Sequence, residues 1–481
     1  MQATDYTDLT RRIEAAGFER IRFTWCDLHG ALRSKTLLKA AALRALYSGV
    51  GMAGTLMLKD HADKTAFPVF DLQALKAFNG LERFAQASNV LLRADPLTLL
   101  SLPWDASTGL LRCETWFPDG TPVAWDTRRL LRQALKSLAA RGWSMRCGLE
   151  VEFHVYKIKD NAPQFDPYLA DWPGQAPDVE MLHPGYRLIG DDYTTMCEAP
   201  MTIIERTALS LGLPLQSLEI EFGPSQLEAV FDPTDALTAA DNMVLFRNIV
   251  RQALRREGYY ASFVCRPPFP NVMSSGWHLH QSLVDARGEN LLMPVAQQLA
   301  PPNACSARAY LSETGGQYMG GLMEHAHGMC ALAVPTVNGY ERFRPHALAP
   351  QTASWGHDSR GAMLRLIGGP GDAATRIENR LGEPMANPYL YIASQIYAGL
   401  DGVARKLVPP SAGNASQAAL KALPANLELA ALALQADLVL RTGFGHDFVE
   451  YYGQIARSEW LRFKCAQDPV QFQSREYFSR Y

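Results

Sequence analysis

The cysteines of this chain form no Cys-x-x-Cys pair. Cys26, Cys113, Cys147, Cys197, Cys265, Cys305, Cys330 and Cys465 are scattered, which argues against a zinc ribbon or a disulfide framework and suits a reducing cytoplasm. Nor does one sign of charge dominate: 46 Lys and Arg against 49 Asp and Glu leave a net charge of -3, too little for the basic field that nucleic acid would need. No uninterrupted apolar run reaches the ~20 residues of a membrane-spanning helix. Neither nucleic acid nor a membrane is therefore an expected partner. Met1 to Leu9 carry acids and no apolar run, so no secretory leader is expected and the expected location is cytoplasmic. Gly368-Gly369-Pro370-Gly371 lacks a following Lys-Ser/Thr and a strand-to-helix setting, so it reads as a turn rather than a phosphate loop. What is present is an ordinary globular composition, 47% hydrophobic and 20% charged, over 481 residues, enough for two or three domains.

The patterning predicts an α+β protein. A helix over Leu9 to Ala16 ends at Gly17. Strands Ile21 to Asp27 and Ala31 to Leu37 flank a turn at Leu28-His29-Gly30, and a helix follows near Lys39 to Tyr47. A larger unit begins with an amphipathic helix capped by Asp126 or Thr127, with Leu130, Leu131, Ala134, Leu135 and Leu138 as its apolar stripe and Gly142 as its end. A strand over Met145 to Tyr156, a loop over Ala162 to Pro184, one helix over Leu237 to Arg256 and a strand over Tyr260 to Val264 come next. Pro301-Pro302 and Pro409-Pro410 read as loops, and Asn426 to Arg462 as mainly helical. The expected division is a small domain over residues 1–115 and a larger one over 116–481.

Four segments place polar residues at alternate positions. Glu150 and Glu152 share one strand face, opposite Leu149, Val151 and Phe153. Glu221 and Glu228 flank a tight turn at Gly223-Pro224-Ser225, His278 and His280 share a strand face, and Arg376, Glu378 and Arg380 share another. For one such segment a solvated outer face is an adequate account. Four together, rich in acid, His and Arg, suit hard divalent cations such as magnesium or manganese, without which so many carboxylates would repel one another.

In this order the segments resemble the glutamine synthetase family, over nearly the whole chain and in its type I-like form. The hairpin Asp27 to Lys35 and the run from Leu423 to Glu459 share in the resemblance. It implies a small β-grasp-like N-terminal domain and a catalytic domain built on a curved antiparallel sheet with flanking helices. It also implies a homo-oligomer, a dodecamer of two hexameric rings with sites at subunit interfaces, and as substrates ATP, L-glutamate and an amine. Two or more Mg2+ or Mn2+ ions are implied per site: one on Glu152, Glu221 and Glu228, another on Glu150, His278 and Glu378. Arg342, in Asn338-Gly339-Tyr340-Glu341-Arg342, and Arg380 would bind glutamate, with Glu152, Gly276 and His278 beside it. His280, Ser282, Arg360, Arg365 and Arg376 would meet the nucleotide. Catalytic roles fall to Arg342, Arg360 and Glu378. The chemistry agrees, because a carboxylate becomes a competent acyl donor once phosphorylated, and cations and arginines stabilise the charge of that transfer.

The chain departs from the family at one subsite. Ammonia-using members carry an Asp in a Gly-Phe-Asp-Gly-Ser pattern and a Glu six residues after the Arg of the Tyr-x-Arg motif; here the positions read Ala53 and Leu348. Two apolar residues would hold an ammonium or a protonated alkylamine poorly. An aromatic amine arrives neutral, and burial of its ring gains ~25 cal/mol per Å². The chain thus looks most like the γ-glutamylanilide synthetase branch, which serves aromatic-amine degradation. The competing readings are a ligase for ammonia, an alkylamine or a polyamine with acids supplied from elsewhere, and a catalytically silent homologue. Against the last stands the retention of every metal-site and arginine position. His346 and the pair His357-Asp358 are candidate proton acceptors. Trp277 and Trp355 are candidates either for pocket walls or for core, and His325-x-His327 reads as structural, because i and i+2 on a helix do not share a face.

Overall fold

A short amphipathic helix, Thr7–Ala15, buries Leu9 and Ile13 and stops before Gly17, whose φ of +70° suits a residue without a Cβ. The structure is a computed structural model that describes residues 6–159, 172–294, 306–343, 348–412 and 420–481. Strands β1 (Arg20–Cys26) and β2 (Leu32–Leu38) form an antiparallel hairpin in which Trp25 faces Arg33. Asp27 shapes the turn: its Oδ1 accepts from the backbone N–H of His29 at 3.0 Å and of Ala31 at 2.9 Å. The helix Lys39–Ser48 leads to β3 (Val50–Ala53), β4 (Asn89–Ala94), β5 (Leu100–Leu102) and β6 (Asp105–Trp116). The sheet order is β2-β1-β6-β4-β3, with β5 on β6 and β1 parallel to β6, a mixed β-grasp-like arrangement.

The helix Thr127–Ala139 starts where Asp126 accepts from Arg129 N–H at 3.1 Å, and it buries Leu130, Leu131, Ala134 and Leu138. Behind it runs the long central strand β7 (Ser144–Ile158). The remaining strands are β8 (Val179–Met181), β9 (Leu215–Ile220), β10 (Gln226–Asp235), β11 (Tyr259–Ser262), β12 (Trp277–Val284), β13 (Trp355–His357), β14 (Leu364–Ile367) and β15 (Arg376–Gly382). Their order is β13-β14-β15-β12-β7-β10-β9, with β8 and β11 also on β7; every pair is antiparallel except β13 with β14. Leu149, Val151 and Phe153 are buried on one face of β7, leaving Glu150 and Glu152 to the other.

The two sheets are tied by polar contacts and by rings. Arg247 donates to Gly30 O at 2.8 Å and to Pro384 O at 2.7 Å, and Asn387 Nδ2 donates to Asp27 O at 2.9 Å. Trp125 stacks on Tyr451 of the helix His446–Lys464, with ring centroids 4.7 Å apart.

Two expectations need correction. The single helix over Leu237 to Arg256 is three pieces, Ala236–Leu245, a π-turn Phe246–Val250 and Arg251–Arg256. The widened turn carries Arg247, whose grip on the hairpin fixes it there. The loop over Ala162 to Pro184 contains β8; residues 160–171 of it lie outside the described residues, as do Cys305, His346 and Pro301-Pro302. The C-terminal helical region divides into Leu427–Ala436, Leu438–Phe444 and His446–Lys464. His325 sits between Asp437 at 2.7 Å and Asp401 at 2.9 Å, a structural clamp, and His327 bonds Ala422 O at 2.7 Å. Trp277 and Trp355 are core: Trp277 packs edge-on against Tyr391, and Trp355 donates to Pro410 O at 2.6 Å. Among the described residues no helix is long and apolar enough to cross a membrane, and the seven described cysteines are free.

Candidate active site

Sheet register gathers the polar residues. Residues opposite one another on adjacent strands share a face, and here Glu150 pairs with His278, Glu152 with Glu228, His280 with Glu378, and Arg365 with Glu378. Glu221 follows the last residue of β9, and its backbone N–H donates to Gln226 O at 2.9 Å across the turn containing Ser225 at φ +57°. One polar face of one sheet therefore collects side chains that lie far apart in the sequence.

Three sets on this face bring ligand atoms within 4.8 Å of one another: Glu152, Glu221 and Glu228; Glu150, Glu228 and His278; and Glu150, His280 and Glu378. His278 Nδ1 lies 2.7 Å from Glu150 Oε1 and 3.6 Å from Glu378 Oε1, so it too stands with that last pair. Burial and the charges of Glu150 and Glu152 push Glu228 up to about 10. Burial and Glu221 raise Glu152 to about 8 against the pull of Arg342, and burial raises Glu221 as well. Burial would also raise Glu150, but hydrogen bonds from His278 and His280 hold it far below the usual carboxylate range. Glu378 lies below its ordinary value because His278 and Arg380 outweigh its burial. Burial and Arg380 keep His278 below its usual value despite its bond to Glu150. The face thus has one side whose carboxyl pKa values are raised and a histidine-backed side whose carboxyl pKa values are lowered.

Arginines border the histidine-backed side. Arg380 pairs with Glu378, and its buried Nε has no hydrogen-bond partner. Arg365 Nη1 meets Glu378 Oε2 at 3.1 Å while its Nη2 holds Asp358 at 2.5 Å. Arg376 Nε donates to His280 Nδ1 at 3.1 Å. Arg342 is buried and donates to Arg380 O at 2.8 Å and Gly382 O at 2.9 Å, so it also buttresses β15. Gly276 explains itself here: a Cβ would lie 2.6 Å from Arg342 Nη2 and 2.9 Å from His278 Nε2, and its N–H donates to Glu152 Oε2 at 2.8 Å.

Other predicted positions stand apart. Arg360 is exposed, and Ser282 lies farther along the His278–His280 face of β12. Ala53 is exposed at the end of the edge strand β3 in the other sheet, while Leu348 is 70% exposed, with its carbonyl 3.5 Å from Arg380 Nη2. His357 stacks on Tyr310 at 3.9 Å and Asp358 holds Arg365, so both members of that candidate proton-accepting pair are engaged, while His346 lies outside the described residues. Two contributors escaped the sequence reading. Gln226 touches Glu152 Oε2 at 3.3 Å, and its place two before Glu228 on β10 was a usable signal. Glu383 accepts from Thr336 N–H at 2.9 Å and anchors the turn Gly339–Arg342, and nothing in its Gly-Glu-Pro setting marks it.

Residues 124–475 match the family model for the glutamine synthetase catalytic domain. A γ-glutamylanilide synthase of Acinetobacter sp is 35% identical over 97% of this chain and 94% of that protein. A glutamine synthetase of Pyrococcus abyssi is 32% identical over 81% of this chain and 82% of that one. A γ-glutamylethanolamide synthetase of Streptomyces coelicolor is 29% identical over 78% and 76%. A solved GmaS–ADP complex superposes with a TM-score of 0.75 at 26% identity, covering 97% of this chain and 99% of that one. Fold, carboxylate face and relatives define an ATP-dependent carbon–nitrogen ligase. The chain belongs to the glutamine synthetase family, whose members are γ-glutamyl ligases acting with ATP, glutamate and an amine and using divalent metals. The donor set fits such ions, since ligand atoms within 4.8 Å of one another on carboxyls whose pKa is raised by burial and by neighbouring carboxylates are what a divalent cation relieves.

Proposed function

We propose that this chain phosphorylates the γ-carboxylate of glutamate with ATP and transfers the γ-glutamyl group to a neutral aromatic amine, giving a γ-glutamylanilide. The observation that supports this most is Leu348, a large apolar residue left 70% exposed with its backbone carbonyl 3.5 Å from Arg380 Nη2, at the position where an ammonia-using relative is expected to place an acid. The 35% identity to a γ-glutamylanilide synthase points the same way. Ala53, exposed on an edge strand of the other sheet, is proposed to reach such a site from a neighbouring copy in a ring, as part of a dodecamer.

Arg342 and Arg380 orient the glutamate carboxylates, and Gly276, whose missing Cβ lets Arg342 and His278 close in, holds Glu152 through its N–H. Arg365 and Arg376, with Arg360 closing from its exposed loop, hold the ATP phosphates in line with the γ-carboxylate oxygen. Cations on Glu152, Glu221 and Glu228 and on Glu150, Glu378 and His278 would offset the charge of the phosphate oxygens. The carboxylate oxygen bonds to phosphorus as the bond to ADP breaks. The amine nitrogen then bonds to the acyl carbon, the carbon–oxygen bond to phosphate breaks, and the nitrogen gives up its proton to the departing phosphate. An amine that arrives neutral needs no carboxylate to accept its proton before attack, in keeping with Ala53 and Leu348.

Glutamate-dependent phosphate release with manganese, measured with aniline, ethylamine, putrescine and ammonium, tests the reading. The expected preference is for aniline, and Leu348→Glu should lower aniline use and admit ammonium. An unchanged amine preference in Leu348→Glu would remove Leu348 from the amine site.

A further inference from the structure

Strand β15 ends at Gly382, and the next residue, Glu383, is wholly buried. It grips the segment before the turn Gly339–Arg342 twice. Its backbone N–H donates to Ala333 O at 2.9 Å, and its Oε1 accepts from Thr336 N–H at 2.9 Å. Thr336 Oγ1 lies 2.9 Å from Oε1 and 3.0 Å from Oε2, donating to the carboxylate while it accepts from Gly339 N–H at 3.0 Å. The carboxylate lies so near Gly339 that a Cβ there would stand 2.6 Å from Oε1.

The turn grips back. Arg342, its last residue, donates to the carbonyls of Arg380 at 2.8 Å, Leu381 at 3.1 Å and Gly382 at 2.9 Å, the three residues that precede Glu383. Segments 333–342 and 380–383 therefore hold each other at both ends. Arg342 Nη2 also reaches Gly276, where a Cβ would lie 2.6 Å from it, and Gly276 N–H in turn holds Glu152. The far side of the turn is tied by Asn338, whose Oδ1 accepts from Arg266 N–H at 2.7 Å and whose Nδ2 donates to Arg266 O at 2.8 Å.

A carboxylate is an expensive way to close this joint. The hydrogen bonds it accepts come from the neutral groups of Thr336, and burial pushes its carboxyl up to about 7 against the pull of Thr336, His61 and Arg342. An apolar side chain would fill the space without that cost, but it would leave Thr336 N–H unbonded and fix no direction for the turn. Hydrogen bonds are directional, so these set the angle of the turn to β15 and with it the plane of the Arg342 guanidinium. A shift of about 1 Å is enough to spoil a two-point contact with a carboxylate.

We propose, resting on the assignment of Arg342 to a glutamate carboxylate, that Glu383 is a positioning residue for that substrate: through Thr336 it sets the turn that aims Arg342. The test is calorimetry of the full chain with manganese and ADP, titrated with L-glutamate, with ADP affinity as the control and Tm recorded for each variant. Glu383→Ala and Thr336→Val should each weaken glutamate about tenfold while ADP affinity stays within about twofold. Glu383→Gln and Thr336→Ser, which keep the accepting oxygen and the hydroxyl, should recover most of the loss. Thr336→Val retains its N–H and shape, so it decides the matter if Glu383→Ala does not fold. A lower Tm with unchanged glutamate affinity would make Glu383 a structural group and overturn the proposal, as would equal losses of glutamate and ADP. Arg342→Lys is the reference. If it weakens glutamate and the Glu383 and Thr336 variants do not, the proposal alone falls. If it too leaves glutamate affinity unchanged, the assignment of Arg342 falls and takes the proposal with it.

Discussion

Glu378 meets three basic side chains on the carboxylate face: His278 within 3.6 Å, Arg365 at 3.1 Å, and Arg380. Its loss removes a proposed cation ligand and leaves the buried Arg380 without that counter-charge. Glu378→Ala should therefore lower ATP turnover by at least about 100-fold, read as phosphate release at saturating glutamate; near-normal turnover would remove it from the site. The raised carboxyls set a pH dependence. Glu228 at about 10 and Glu152 at about 8 hold protons in the metal-free fold that the unfolded chain releases. Their contribution to stability is full below the unfolded carboxyl range and is lost as pH rises toward those values. The metal-free Tm should thus fall between pH 6 and about 9, whereas manganese, which must displace those protons, should bind more tightly over the same range. Melting curves with and without manganese check both halves. That Glu150 and Glu152 share a face was legible from their alternation. That Glu150 lies opposite His278 was not, because no local rule pairs residues so distant in the chain, and the family resemblance carried that step.

At the scale of elements, the hairpin β1–β2 is held by its tip. A Cβ on Gly30 would lie 1.7 Å from Arg247 Nη2, and its φ of +74° disfavours a side chain. Gly30→Ala should cost about 1–3 kcal/mol of stability, seen as a lower Tm, and should loosen the first sheet from the catalytic region. The helices and most strands could be read from caps and periodicity: Asp126, Gly17 and Gly142 fall where their chemistry requires. The π-turn at Phe246–Val250 could not, because its cause is a contact from Arg247 to Gly30 and Pro384, not a local sequence preference. The same holds for Glu383 and for the buttressing of β15 by Arg342, whose partners are backbone carbonyls that no side-chain motif reports.

At the scale of the whole molecule, Ala53 ends β3 of the first sheet, Leu348 lies in the loop before β13, and both are exposed. An amine pocket formed from both is proposed to need a second copy of the chain. Native mass spectrometry should then give twelve copies of the 53.2 kDa chain, and a monomer with full activity would show that one chain suffices. The central claim is the choice of amine, and direct competition tests it: equal aniline and ammonium with glutamate, ATP and manganese at pH 8, the products resolved by mass spectrometry. The account predicts γ-glutamylanilide in large excess over glutamine. Glutamine as the main product would contradict it and leave an ammonia-using ligase whose acid lies outside positions 53 and 348.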